Sequence, residues 1–138
     1  MNQINSQRLV LAAIKCANRL NISVNIAIYD AGSNLLAFQK MDGALLGSID
    51  VSLKKARSAV LFQAATETLG ELVREHQLDS IEQTNNGLIL FAGGEPISFD
   101  GIVIGGIGIS GGSAAQDKEI ALYAISQLNI ANTVKGTS

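Results

Sequence analysis

The sequence is short of the residues that most often build catalytic and metal sites. Its 138 residues include one cysteine, one histidine and no tryptophan. The single cysteine, Cys16, excludes an intramolecular disulfide and a cysteine-based metal cluster, and it is most simply a small buried hydrophobe. The single histidine, His76, has no second imidazole with which to build a metal site, and its position near a predicted helix end suits a role at the negative helix terminus. No metal site is predicted.

Charge is also scarce, at 16% of the residues, with a formal net charge of -2. No basic block is present, which argues against nucleic-acid binding. No apolar run reaches the roughly 18 residues of a membrane span, and the N-terminus lacks the basic and apolar regions of a secretory signal, so we expect a cytoplasmic protein away from the membrane. Because 47% of the residues are hydrophobic, we also expect apolar subunit contacts and a homo-oligomer.

The length predicts a single domain over residues 1–138, and hydrophobic periodicity predicts its elements. Apolar residues at three- and four-residue spacing indicate helices between Ser6 and Asn21, from about Ser48, from Thr66 and over residues 114–128. Alternation and turn signals indicate strands at residues 24–29, 35–41, 88–92, 97–99 and 102–110. The order α-β-β-α-α-β-β-β-α predicts an α+β fold, an antiparallel sheet of about five strands flanked by helices.

A glycine-rich strand that runs into a helix start is the most informative segment. Residues 105–112 contain five glycines, and Ser113 with Gln116 has the spacing of a capping box. The helix start offers backbone N–H groups and a partial positive charge, which can hold an anionic ligand group. The alternative is tight packing of the glycine strand against a neighbouring element.

A few charged and soft side chains could serve a site. Lys55 lies on a semi-apolar helix stripe, where it could snorkel to water, pair with Asp42 or meet a ligand carboxylate. Asp30 and Asp42 lie at strand ends, where turns also favour aspartate. Met41 could be core, or its thioether could act as a soft ligand or pack against a flat macrocycle. Asp50 and Lys54 have the spacing of a solvated i,i+4 pair.

Taken in order, several short segments resemble the GlcG/HbpS family, also called the haem-degrading domain family, which includes the C-terminal domain of PduO-type proteins. The segments that carry the resemblance span nearly the whole chain and are residues 30–32, 35–38, 41–44, 55–59, 93–97, 105–112 and 116–117.

The resemblance implies a profilin-like fold, homo-oligomers from dimers to octamers, and binding of haem or a related tetrapyrrole, with slow haem degradation in some members. The positions that match the family motifs and frame the implied ligand site are Asp30, Met41, Asp42, Lys55, Gly111, Gly112 and Asp117. Haem-binding relatives can use an axial histidine near the start of the domain, and this chain has no histidine before His76.

We therefore expect a homo-oligomeric accessory protein that binds a tetrapyrrole, either haem or a corrinoid such as cobalamin. Its pocket should lie where Asp42 and Lys55 approach the Gly111-Gly112 turn. One alternative is an enzyme acting on a small hydroxy acid or aldehyde, with Lys55 as anion binder or base and Asp42 as its partner. Another is a structural protein whose assembly is its function.

Overall fold

The predicted α+β architecture is confirmed in a computed structural model that describes the backbone of residues 1–137 and the side chains of residues 1–129. Within that range the elements are α1 (Gln3–Arg19), β1 (Asn25–Asp30), β2 (Leu35–Lys40), α2 (Gly47–Phe62), α3 (Thr66–Glu75), a 3₁₀ turn (Ile81–Gln83), β3 (Gly94–Phe99), β4 (Ile102–Ser110) and α4 (Ala114–Thr137). No helix in this part of the chain is long and apolar enough to cross a membrane.

The strands form one antiparallel sheet in the order β2-β1-β4-β3. Alternate residues of a strand point to opposite faces of a sheet. On one face, isoleucines of β1, β3 and β4 pack with apolar side chains of α1 and α4. The fully or almost fully buried members of this core include Leu9, Ala13, Ile26, Ile28, Ile97, Ile107, Ile109, Ile120 and Ala124.

The opposite face of β4 presents glycine to α2. A Cβ added at Gly108 would collide with the Ser52 carbonyl oxygen and would lie 2.5 Å from the Ala56 backbone nitrogen. Gly106 also lies close to α2, where an added Cβ would be 2.8 Å from the Ala56 carbonyl oxygen. Of the two explanations for the glycine run, tight packing therefore accounts for these positions: the absence of side chains lets α2 rest on the strand backbone.

The sheet has four strands where the sequence predicted about five, because residues 88–92 do not form a strand. Hydroxyl groups from two helices bind this segment instead. The Ser58 hydroxyl accepts a hydrogen bond from the Ile89 N–H at 3.1 Å, and the Thr66 hydroxyl donates to the Phe91 carbonyl oxygen at 2.6 Å. The apolar run thus covers α2 and α3 as an irregular segment, with Leu88 and Ala92 buried.

Two predicted helix caps and the predicted end of the last helix differ from the structure. Asn2, rather than Ser6, caps α1, and its side chain accepts from the Asn5 N–H at 2.8 Å. Thr66 is the first residue of α3 but does not cap it, because its hydroxyl binds the segment before β3. Helix α4 continues past Leu128 to Thr137. The Asp50–Lys54 pair is confirmed at 3.0 Å.

The contact between Gly108 and α2 should not tolerate a side chain. Gly108→Val should lower the free energy of unfolding by roughly 1–3 kcal/mol or more, because the added atoms must displace backbone of α2. Thermal or urea unfolding measures this loss. Gly47→Ala is the matched control, since an added Cβ at Gly47 has no atom within 4 Å. Equal stability of the Gly108→Val variant and the native protein would show that α2 does not pack on β4 in this way.

Candidate functional site

Lys55 is a buried ammonium group that joins three elements. Its side chain is 1% exposed, and Nζ donates to the Ile109 carbonyl oxygen at 2.8 Å and to Asp117 Oδ2 at 3.1 Å. The Phe91 ring covers the group, with its centroid 5.0 Å from Nζ, within the range of a cation–π contact. Helix α2 is thereby tied to the end of β4 and to the first turn of α4.

The start of α4 is satisfied by the chain's own side chains. Asp117 Oδ1 accepts from the Gly112 N–H at 2.9 Å, while its other oxygen holds Lys55. The predicted capping box is confirmed: the Ser113 N–H donates to Gln116 Oε1 at 2.9 Å, and the Gln116 N–H donates to Ser113 Oγ at 3.1 Å. The sequence predicted that the start of α4 could hold an anionic group of a ligand. In the structure that position is taken by the carboxylate of Asp117, a residue of the helix.

Burial governs the electrostatics of this pair. Burial raises the pKa of the Asp117 carboxyl, and the attraction of Lys55 and the Gly112 N–H oppose that rise. Burial likewise lowers the pKa of Lys55, and its attraction to Asp117 opposes the fall. Each charge depends on the other because neither has water as an alternative partner. The pair is consequently sensitive to removal of one member alone.

The predicted pair of Lys55 with Asp42 is wrong, because Lys55 pairs with Asp117. A ligand site near the Gly111-Gly112 turn stays a prediction. Asp42 is exposed after β2, whereas Lys55 is enclosed by Asp117 and Ile109. Gly111, at φ +138°, lies against the β1 side of the sheet, where an added Cβ would be 2.8 Å from the Ser23 carbonyl oxygen. The sequence favoured Asp42 because it lies close along the chain, whereas the actual partner is 62 positions from Lys55.

Asp30 serves the β1–β2 turn. Its Oδ1 accepts from the Gly32 N–H at 2.9 Å and from the Asn34 N–H at 2.8 Å. These hydrogen bonds hold the pKa of Asp30 below its usual value, with the Asn34 N–H as the main cause. The geometry is that of an aspartate-stabilised turn, the first of the two roles that the sequence allowed. A ligand-binding role for Asp30 stays a prediction.

An open surface lies on the other side of the sheet, between α1 and the edge strand β2. One cleft there has a volume of about 380 Å³ and is lined by Gln7, Val10, Leu11, Ala37, Phe38 and Gln39. Its walls are mainly apolar, and the Leu11 side chain is 67% exposed. A mainly apolar cleft with an exposed leucine on its wall is suited to an apolar ligand.

A second cleft of about 310 Å³ continues the first and shares Gln39 with it. It is lined by Ile14, Asn18, Ser23, Gln39, Lys40, Met41 and Asp42. We call the two clefts together the α1–β2 furrow. The consecutive residues Lys40, Met41 and Asp42 all line the second cleft. Met41 and Asp42 are two of the site residues selected from the sequence.

Met41 is held in place by Val24 at the entrance to β1. Its backbone N–H donates to the Val24 carbonyl oxygen at 3.1 Å, and its Sδ accepts from the Val24 N–H at 3.4 Å. Val24 is fully buried. The thioether therefore satisfies a backbone N–H that has no access to water.

The sequence did not indicate most of the residues that line the furrow. It did predict the positions of the single histidine and the single cysteine correctly. Leu11 lies outside the predicted apolar stripe of the first helix. The one signal for a second surface was its helical spacing with other furrow residues of α1, among them Gln7, Ile14 and Asn18. His76 is the C-cap residue of α3 and Cys16 is fully buried, both as predicted. Neither residue lines the furrow.

Comparison with known proteins agrees with this fold and with the sequence motifs. A family model for the HbpS-like haem-degrading proteins matches residues 1–126. The chain belongs to this family. Protein GlcG of Escherichia coli K12 is 33% identical over 110 residues, which are 80% of this chain and 81% of GlcG.

The corrinoid adenosyltransferase PduO of Salmonella typhimurium is 38% identical over 125 residues, which are 89% of this chain but only 37% of PduO. Among solved structures, the Klebsiella pneumoniae protein ORFY superposes with a TM-score of 0.90 at 34% identity, covering 94% of this chain and 90% of that one. A complex of PduOC with haem superposes with a TM-score of 0.86 at 36% identity, covering 91% and 93%.

Loss of the Lys55 ammonium should destabilise the fold. Lys55→Met should cost roughly 3–5 kcal/mol of unfolding free energy, because it leaves the Asp117 carboxylate buried without its counter-charge. Adding Asp117→Asn should recover part of that loss, since the amide is neutral and its oxygen can still accept from the Gly112 N–H. Chemical denaturation of both variants measures the difference. A Lys55→Met variant as stable as the native protein would instead favour a functional role for the pair.

Proposed function

We propose that this protein is a haem-binding accessory protein whose ligand lies in the α1–β2 furrow. The observation that carries the proposal is the exposed apolar surface of Leu11, in a mainly apolar furrow that also contains Met41 and Asp42. Membership of the HbpS-like family and the 36% identity to PduOC, which was solved with haem, support haem as the ligand.

The furrow residues fit the haem ring and its edge. The apolar walls would cover the macrocycle, and the ammonium group of Lys40 would attract the propionates at the polar end. Bound haem would supply an iron centre capable of redox chemistry. The chain's own contribution would be to bury one face of the ring, to orient its carboxylates and to reduce contact with water.

The remaining candidate residues support the site indirectly. Lys55, Asp117 and Gly112 fix α2 and α4 to the sheet, so their part in the proposal is to keep the fold rigid. Lys55 has its ammonium directed to a carbonyl and a carboxylate inside the protein, an arrangement that gives no support to an anion-binding or basic role on a small hydroxy acid. Binding without catalysis is therefore the simpler proposal.

Haem titration of the purified protein tests the location. Ferric haem should shift its Soret absorption on binding, and Leu11→Glu should weaken binding by about tenfold or more, equivalent to about 1.4 kcal/mol, because the new carboxylate meets the ring and repels the propionates. Leu78→Glu is the matched control, an exposed leucine outside the furrow. Equal weakening by both variants would remove the furrow from the proposal.

A parallel titration with cobalamin tests the corrinoid alternative. Tight binding of cobalamin together with no binding of haem would make a corrinoid the ligand in place of haem.

We also propose that the protein forms homo-oligomers. Several large apolar side chains remain exposed outside the furrow, among them Leu45 and Leu46 before α2 and Phe99 and Ile102 at the β3–β4 turn. Surfaces of this kind commonly lie in protein contacts. Light scattering at micromolar concentration should give a mass that is a multiple of the 14.4 kDa chain. A single-chain mass would reject the proposal without affecting haem binding.

A further inference from the structure

The α1–β2 furrow offers surfaces for a tetrapyrrole ring but poor ligands for its metal. Haem iron in proteins is held by imidazole, thiolate, thioether or phenolate groups. Among the side chains that line the furrow, only Met41 belongs to this set. Its sulfur therefore decides whether the chain can bind iron in this place.

The Met41 sulfur already has a structural partner. It accepts the Val24 N–H at 3.4 Å, and Val24 is fully buried. Turning the sulfur toward a metal would leave that N–H without a partner and without water, which is unfavourable for a buried backbone group. The neighbouring backbone bond, from the Met41 N–H to the Val24 carbonyl at 3.1 Å, limits how far the residue can move to avoid this loss.

The other polar groups of the furrow are no better suited to haem iron. A lysine ammonium such as that of Lys40 has three donors and no acceptor. Its Nζ lies 3.4 Å from the Met41 carbonyl oxygen, as a donor to it. Asp42 is an oxygen ligand of the kind that suits Mg²⁺, Ca²⁺ or Mn²⁺ better than haem iron. Gln7, Asn18 and Gln39 carry neutral amides and Ser23 a hydroxyl, and none of these is a group that holds haem iron in proteins.

We propose that this chain recognises the apolar ring and the carboxylate edge of a tetrapyrrole and does not ligate its metal, so that it binds metal-free porphyrin as well as haem. This inference rests on the proposed function, because it places the ligand in the same furrow. The inference restricts the ligand class to flat tetrapyrroles with a carboxylate edge, with or without a metal ion at the centre of the ring.

Titration of the full chain with ferric protoporphyrin IX and with metal-free protoporphyrin IX tests the proposal, because the two ligands share their ring periphery. Soret absorption follows the first ligand and porphyrin emission the second. The two dissociation constants should agree within about tenfold, which corresponds to about 1.4 kcal/mol. Leu11→Glu should weaken both by the same factor, since it acts on the ring and its carboxylates.

Three further variants examine ligation directly. Met41→Leu nearly conserves side-chain volume, and Asp42→Asn removes the carboxylate charge; because both residues line the furrow without holding the metal, each variant should change the dissociation constants of haem and of metal-free porphyrin by the same factor. His76→Ala should have no effect on either ligand. A variant that weakens binding of haem but not of metal-free porphyrin overturns the proposal. The proposal is also overturned if the affinity for haem exceeds the affinity for metal-free porphyrin by more than about tenfold. That result would leave the proposed function, haem binding, in place. Failure of both ligands to bind rejects the two proposals together.

Discussion

The buried ammonium of Lys55 is the contact on which the arrangement of helices around the sheet depends. It extends from α2 to the Ile109 carbonyl oxygen and to Asp117, whose other oxygen holds the Gly112 N–H. Gly93 has to be glycine beside it, because its φ is +125° and an added Cβ would lie 2.6 Å from the Ile109 carbonyl oxygen. One charge thus fixes the position of α2, the end of β4 and the start of α4 at once.

The edge strand β2 lies away from this contact. Strand β4 is closely packed by α2 through Gly108, while β2, two strands away, forms the sheet edge beside α1. The α1 flank that faces β2 retains exposed apolar surface at Leu11. The rigid half of the fold and the proposed binding half are therefore separate, and substitutions in one can be interpreted without large effects from the other.

The sequence predicted those parts of the molecule that depend on neighbouring residues. Ser113 and Gln116 are three residues apart, and their capping box formed; β4 also has the predicted bounds. Predictions that needed distant partners were less successful. The segment at residues 88–92 became irregular because hydroxyls from α2 and α3 bind it, and Lys55 paired with Asp117 rather than Asp42. Local patterns do not encode which distant polar group will satisfy a buried one.

Met41 shows how a residue type can be selected correctly and yet have a different role. A thioether near a furrow suggests a soft metal ligand, but here the sulfur accepts the N–H of buried Val24 and completes the backbone hydrogen bonding at the start of β1. A tetrapyrrole in the furrow would then be held by burial of its ring and by the charge of its carboxylates. Affinity of that kind depends on the apolar area covered rather than on a single bond to the metal.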